Sequence, residues 1–216
     1  MRLDVTHRLI DRVDVEPLRA LVERELGPHF DAPDRPLWRT VDARMQWVGV
    51  DERPADVGFR RMRPQGYAQI CLINDERPYS PWALDVPEAL DADARAALRD
   101  RVIEPMTALC RRHYGEGELV FCVLAILGPG GLIPRHRDMM HDPNKKAWSH
   151  HVHVPITHAE DTWFRIAKRR FTMEVGGVYE IDNTRPHAVV NAGDGYRVNV
   201  LLDYCPTTNL ERRGAP

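Results

Sequence analysis

The feature that most constrains the fold is a series of short β-prone segments in the second half of the chain. Residues 119–127 form a nine-residue apolar run rich in β formers, and the Gly- and Pro-rich residues 128–131 predict a turn after it. Short strands that follow one another without intervening helices indicate a sandwich or jelly roll. The further strands are predicted at residues 132–138, 150–156, 162–167, 177–181, 187–190 and 196–203.

The first half of the chain is predicted to contain helices as well as strands. An apolar stripe predicts a helix over residues 15–26, with Asp14 as its cap and Gly27 at its end. A second helix is predicted over residues 91–114, and a strand over residues 67–73. Helices added to a β core make the expected fold class mostly β with added helices.

The domain organisation follows from the change in sequence texture near residue 119. At 216 residues the chain suits a single domain, which we expect to span residues 1–216. Within it we expect residues 1–118 to form a helical and short-strand portion that supports the barrel. Residues 119–205 are then expected to form the core that carries the functional site.

Charge and hydropathy argue against two classes of partner. The formal net charge is −2 and the sequence pI is about 6.6, so no basic surplus favours nucleic acid or an anionic membrane. No stretch approaches 18 apolar residues, and the first residues lack a continuous apolar segment. We therefore expect a cytoplasmic protein that binds neither nucleic acid nor membrane.

Histidines are concentrated in the β-rich half, where seven of the ten fall between residues 136 and 187. His136 and Asp138 are separated by one residue on a predicted strand, so the alternation of side chains sends both to the same face. The H-x-D pattern is short enough to occur by chance, and it needs support from elsewhere in the chain. A third candidate ligand, His187, lies in a later strand.

A second predicted hairpin supplies that support. Its turn centres near Ala192, which places His187 opposite Arg197. Directly opposed residues of an antiparallel pair have Cβ atoms about 4.5 to 5.5 Å apart. The predicted hairpin therefore offers a metal ligand beside a cation.

His136, Asp138 and His187 together make the donor set of a facial triad, which leaves three coordination positions open on nonheme iron(II). A 2-oxo acid can fill two of these positions and dioxygen the third. The far carboxylate of a dicarboxylic 2-oxo acid needs a planar, permanently charged partner, and Arg197 is placed for that role. Each of these residues alone is more often structural, and the functional interpretation depends on their agreement.

Three sequence segments also resemble a known family. The stretches GPGGLIPRHRD, HVHVPIT and EIDNTRPHAVVNAGDGYRVNVLLDY, within residues 119–204, are similar to the aspartyl/asparaginyl β-hydroxylase family, which includes bacterial proline hydroxylases. The resemblance implies a cupin-like double-stranded β-helix core that binds iron(II), 2-oxoglutarate and dioxygen. The reaction that it implies is hydroxylation of an unactivated C–H bond, with release of succinate and carbon dioxide. It also implies that His136 and His187 bind the metal and that Arg197 binds 2-oxoglutarate. Because Asp138 completes the triad, the chain looks more like the amino-acid hydroxylase branch.

Two further histidines enter the expected cosubstrate site. His153 resembles a family histidine that helps to hold 2-oxoglutarate, and His151 stands where arginine is common in the family. Because side chains alternate along a strand, His151 and His153 should share one face, and His150 should point the other way. We therefore expect His151 and His153 to line the pocket together.

Two other functions remain open from the sequence. The same histidines could belong to a noncatalytic cupin-like module that binds a metal without turnover. They could also belong to a cupin dioxygenase that does not use 2-oxoglutarate, although such an enzyme has no evident need for Arg197. The expected substrate is a small molecule or a peptide, either a free amino acid or an amino-acid residue.

Overall fold

The computed structural model describes residues 5–30, 65–74, 84–85, 92–137, 149–158 and 161–209. The predicted strands from residue 150 onward are confirmed within a few residues, whereas the strands at residues 7–12, 84–85 and 169–171 were not predicted. No helix in these ranges has the length and apolar character needed to cross a membrane. The main elements are β1 His7–Arg12, α1 Glu16–Phe30, β2 Gln65–Asn74, β3 Leu84–Asp85, α2 Ala92–Tyr114, β4 Gly117–His136, β5 His150–Pro155, β6 Thr162–Ile166, β7 Arg169–Phe171, β8 Gly177–Ile181, β9 His187–Asn191 and β10 Arg197–Pro206.

The strands form a curled, almost entirely antiparallel sheet. Its hydrogen-bonded order is β1-β8-β5-β10-β4-β9-β6-β7, and β2 pairs with β4 and, in parallel, with β3. Strands that are distant in sequence are thus neighbours in the sheet, as in a jelly roll. The predicted mostly-β, cupin-like fold is confirmed.

The helices of the first half are confirmed, with one correction. The Asp14 carboxylate accepts a hydrogen bond from the Glu16 amide at 3.0 Å, so Asp14 caps α1 as predicted. The predicted end of α1 at Gly27 is wrong, because the helix continues to Phe30. Leu26 is completely buried, and the packing of this turn offsets the backbone donor that Pro28 lacks.

Strand β4 is longer than predicted because it passes through the sequence where a turn was expected. It runs unbroken for 20 residues, and Gly130 within it has a positive φ of 65°. Glycine adopts this conformation without a Cβ clash, so the strand changes direction and does not end. Residues 117–127 of β4 pair with β10, and residues 132–136 pair with β9.

The predicted hairpin between β9 and β10 is wrong, because β4 lies between these two strands. Arg197 therefore pairs with Leu127 in the middle of β4, whereas His187 pairs with His136 at the C-terminal end of the same strand. The crossing is held by the Asn191 amide, whose nitrogen lies 2.8 to 3.0 Å from the carbonyl oxygens of Leu127, Gly128 and Gly195. The two hydrogens of this buried amide are shared among carbonyl oxygens of β4 and of the loop before β10, and they tie these two segments together.

Two hydrophobic cores lie on opposite faces of the central strands. The larger core joins the helices to one face of the sheet, and β10 contributes Val198, Val200 and Leu202 to it. The smaller core lies on the other face, and we call this face the barrel interior; Phe164 and Val189 belong to this core. The alternate residues of β10 are turned away from the helices, and three of them are the buried polar residues Arg197, Asn199 and Asp203.

Candidate active site

The structure brings two of the predicted metal ligands together. His136 of β4 and His187 of β9 are directly paired, and their ring centroids are 4.2 Å apart. His187 shares a strand face with Val189 of the smaller core, so its ring faces the barrel interior. Two imidazoles at this separation are close enough to bind one metal ion, since an imidazole nitrogen coordinates a metal such as zinc at about 2.1 Å.

A backbone contact fixes the protonation form of His187. Its Nδ1 lies 3.0 Å from the carbonyl oxygen of Arg185, and because a carbonyl only accepts, Nδ1 carries the hydrogen. In the neutral ring, Nε2 is then the nitrogen with a lone pair for a metal. Histidine ligands in metal sites are commonly oriented by such a contact from the other ring nitrogen.

The third predicted ligand, Asp138, lies outside the described residues. Within the described ranges, no group of three or more His, Cys, Asp or Glu side chains is arranged to hold a metal. The donors that are described, two imidazoles from neighbouring strands, fit a nonheme iron(II) site, which uses two histidines and one carboxylate. The role of Asp138 stays a prediction.

Arg197 is a buried cation on the interior side of β10. Only 3% of the residue is exposed, and its guanidinium carbon lies 4.6 Å from the centre of the Phe164 ring. Burial lowers the pKa of Arg197 to about 9, and the nearby Tyr67 acts in the opposite direction. Among the described residues no carboxylate pairs with this guanidinium, so the site offers a buried positive charge to an anionic ligand.

The predicted phase of β5 is confirmed. The Nε2 atoms of His151 and His153 lie 2.9 Å apart, so the two rings share the interior face. His150 points to the other face, where it stacks on Tyr114 of α2 at a centroid distance of 3.7 Å. The roles proposed for His151 and His153 toward a cosubstrate remain predictions.

His151 and His153 belong to a chain of buried polar side chains that we call the interior relay. His151 Nδ1 lies 2.6 Å from Asp203 Oδ1, and His153 Nδ1 lies 2.9 Å from the Asn199 amide. The same amide lies 2.8 Å from a terminal nitrogen of Arg197. The relay therefore connects a carboxylate to the candidate cosubstrate arginine through two imidazoles and an amide.

Sequence reasoning missed two members of this relay and one neighbour. Asn199 and Asp203 are two and six residues beyond Arg197 on one strand, so the same alternation that grouped His151 with His153 could have found them. Tyr67 lies on β2 and pairs with Leu127, the residue opposite Arg197. No local pattern in the sequence indicates that contact.

A second buried polar cluster lies on the helix side of β5, and we call it the outer cluster. His150 Nδ1 lies 2.8 Å from Glu180, and Arg8 donates two hydrogen bonds to Glu180 at 2.6 and 2.8 Å. The Tyr114 hydroxyl donates a further hydrogen bond at 3.2 Å. Burial alone would raise the pKa of Glu180, but the hydrogen bonds from His150 and Arg8 outweigh it and leave the pKa lowered.

The comparison with protein families gives one match. The model of a family described as Aspartyl/Asparaginyl beta-hydroxylase matches residues 102–206, from within α2 to the end of β10. This region contains all six residues that the sequence analysis assigned to the site. A comparison with curated protein sequences gives no significant match.

Solved structures support the fold. AviO1 from Streptomyces viridochromogenes Tue57 has a TM-score of 0.55 and 15% identity, over 98% of this chain and 91% of AviO1. EvdMO1 has a TM-score of 0.54 and 12% identity, over 94% of this chain and 47% of EvdMO1. A prolyl-4-hydroxylase from Pseudomonas putida has a TM-score of 0.49 and 14% identity, over 94% of each chain. At these identities, the AviO1 and EvdMO1 likenesses establish the fold.

Proposed function

We propose that this chain is a member of the aspartyl/asparaginyl β-hydroxylase family, whose model matches residues 102–206, and that it acts as an iron(II)- and 2-oxoglutarate-dependent dioxygenase. Its substrate in this proposal is an amino acid, or an amino-acid residue in a peptide, with an unactivated C–H bond that becomes hydroxylated. Succinate and carbon dioxide are the coproducts derived from 2-oxoglutarate.

The observation that carries the proposal is the buried guanidinium of Arg197. Enclosing a charged group without a partner is costly, so a protein that keeps one in its interior gains most when an anion binds there. 2-Oxoglutarate has a 2-oxo acid end that suits a metal with open positions and a far carboxylate that suits a guanidinium. Arg197 and the paired histidines all belong to the interior side of the barrel.

In this proposal His136, Asp138 and His187 hold the iron, which supplies the activation of dioxygen when it is bound. The hydrogen on His187 Nδ1, donated to the Arg185 carbonyl, keeps the ring oriented so that Nε2 faces the metal. Arg197 and His153 bind the cosubstrate. The apolar residues around them, including Phe164, exclude water and so strengthen each charged contact.

The test begins with an anaerobic titration of 2-oxoglutarate into the iron(II)-loaded protein. We expect saturable binding that depends on iron, followed by succinate release on aeration. A panel of free amino acids and short peptides then identifies the substrate as the compound that increases succinate release and gains one oxygen atom.

Two outcomes would favour the other functions. Metal binding without 2-oxoglutarate binding would favour a noncatalytic cupin-like module. Oxygen consumption that does not require 2-oxoglutarate would favour a cupin dioxygenase of a different type.

A further inference from the structure

Asp203, His151 and Asn199 line the barrel interior without an assigned contact to metal or substrate. We propose that these three are positioning residues, which fix the orientations of His153 and Arg197 before 2-oxoglutarate binds. The proposal rests on the function proposed above and changes the expected role of His151, which then acts through His153.

The orientation of the Asn199 amide is determined by Arg197. A guanidinium nitrogen only donates, so the amide atom that lies 2.8 Å from Arg197 is the oxygen. The amide nitrogen then lies 2.8 Å from the carbonyl oxygen of Val154, to which it donates. Because the same amide oxygen lies 2.9 Å from His153 Nδ1, this ring nitrogen carries a hydrogen.

The remaining contacts determine how many hydrogens the relay contains. The two facing Nε2 atoms of His151 and His153, 2.9 Å apart, share one hydrogen. His151 Nδ1 and Asp203 Oδ1, 2.6 Å apart, share another. Three hydrogens thus occupy three contacts, whereas two neutral imidazoles and a carboxylate supply only two. The relay therefore holds one hydrogen more than two neutral imidazoles and a carboxylate supply, so Asp203 and the two rings together carry no net charge.

This arrangement acts on the cosubstrate pocket through Asn199. The amide oxygen accepts from both His153 and Arg197, so the orientation of one side chain constrains the other. Asp203 and His151 hold His153 from its opposite edge. A guanidinium that is held in place loses less conformational entropy when it binds a carboxylate, and the affinity for that carboxylate rises.

The chain offers a matched pair of substitutions to test this role. His150 and His151 are adjacent, each is 6% exposed, and each has Nδ1 on a buried carboxylate. We expect His151→Phe to raise the Kd for 2-oxoglutarate in the anaerobic iron(II) protein by about 10-fold, comparable to the loss of one hydrogen bond. His150→Phe should leave this Kd unchanged, and circular dichroism should verify that both variants are folded.

A second pair of substitutions, both at Asp203, distinguishes a positioning role from a packing role. In Asp203→Asn the new amide nitrogen can donate to His151 Nδ1, so the relay keeps every contact with one hydrogen fewer. We expect Asp203→Asn to bind 2-oxoglutarate with at most a small change in Kd, whereas Asp203→Ala should raise Kd by about 10-fold. In Asp203→Ala, the kcat measured at saturating 2-oxoglutarate should change less than the KM for 2-oxoglutarate.

Nitrogen NMR of the histidine rings gives a readout that needs neither metal nor cosubstrate. We expect the wild-type spectrum to show a hydrogen on His153 Nδ1, which Asp203→Asn should retain and Asp203→Ala should no longer fix. An unprotonated His153 Nδ1, or equal Kd values for His151→Phe and His150→Phe, would overturn the inference and leave the proposed function standing. If the wild-type iron(II) protein bound no 2-oxoglutarate, the proposed function itself would fail, and the inference with it.

Discussion

Two adjacent histidines of β5 have the same local chemistry on opposite faces of one strand. His150 and His151 are equally buried, and each contacts a buried carboxylate, Glu180 for His150 and Asp203 for His151. The outer cluster leads from His150 to Arg8, whose side chain is 48% exposed. The interior relay leads from His151 to Arg197, which is buried.

The difference teaches that burial and a charged partner do not by themselves identify a functional histidine. In the outer cluster the charges of Glu180 and Arg8 are balanced within the protein. In the interior relay the extra hydrogen leaves Asp203 and the two rings with no net charge, so the charge of Arg197 is available to a ligand. Four predictions test whether the outer face of β5 serves stability and its interior face serves function.

The largest expected effect belongs to the metal ligands on the interior side. Replacing His136, Asp138 or His187 by Ala should nearly abolish turnover, because a triad with one ligand missing neither retains nor orients iron. Iron content and succinate release are the measurements, with His150→Ala as the control. Full activity in all three variants would end the triad assignment.

Arg197 comes next. Truncating one partner of a buried, hydrogen-bonded charge pair costs about 2 to 5 kcal/mol, so Arg197→Ala should raise the 2-oxoglutarate requirement by roughly 30-fold or more. The 2-oxoglutarate requirement of Arg197→Lys should fall between those of the wild type and Arg197→Ala, because an ammonium restores the charge but not the two parallel hydrogen bonds. The check is an anaerobic titration of 2-oxoglutarate, with iron content unchanged. An unchanged affinity in Arg197→Ala would mean that another cation anchors the cosubstrate.

A smaller effect should separate the faces of β5. His153→Ala should weaken 2-oxoglutarate binding by about 10-fold while iron binding is retained, since one hydrogen-bonding side chain is lost. His150→Ala should change neither quantity to a comparable degree. Binding titrations of both ligands to both variants provide the check. Sensitivity at His150 and not at His153 would remove the functional distinction between the faces.

The smallest expected effect on cosubstrate binding is that of Glu180→Gln. This variant should lose about 2 kcal/mol of stability at neutral pH, because hydrogen bonds to a buried charged group are lost. Folding lowers the pKa of Glu180 below its ordinary value of 4.5, so its contribution is present above that pH and is lost as the pH falls through the folded value. Urea unfolding of both proteins at pH 7 and at low pH should show the difference shrinking in acid. A changed 2-oxoglutarate Kd would contradict the division.

Local periodicity predicted the parts of the site that depend on one strand at a time. Alternation along β5 grouped His151 with His153 and turned His150 away, because side-chain direction in a strand depends only on position parity. The same rule could have added Asn199 and Asp203. Neither residue belongs to the metal motif, so the pattern of candidate ligands does not indicate them.

Periodicity could not predict how the strands pair with one another. The hairpin expected around Ala192 assumed that strands joined by a short loop are neighbours, but β4 separates β9 from β10. This order of the strands depends on the positive φ of Gly130 within β4 and on the contacts of Asn191 with carbonyls more than 60 residues away. Neither feature has a local sequence signature. Asp138 lies outside the described residues, so its place in the triad is still a prediction.

The alternation of β10 also limits how this protein can evolve. Val198, Val200 and Leu202 build the helix-side core, while Arg197, Asn199 and Asp203 form part of the relay on the same short segment. Deleting one residue inside the strand would exchange the two sets and place charged groups in the apolar core. We therefore expect β10 to tolerate substitutions better than insertions or deletions, both in natural evolution and in laboratory mutagenesis. Substitutions confined to the odd-numbered positions would alter the ligand-facing residues, Arg197 among them, and leave the helix-side core in place.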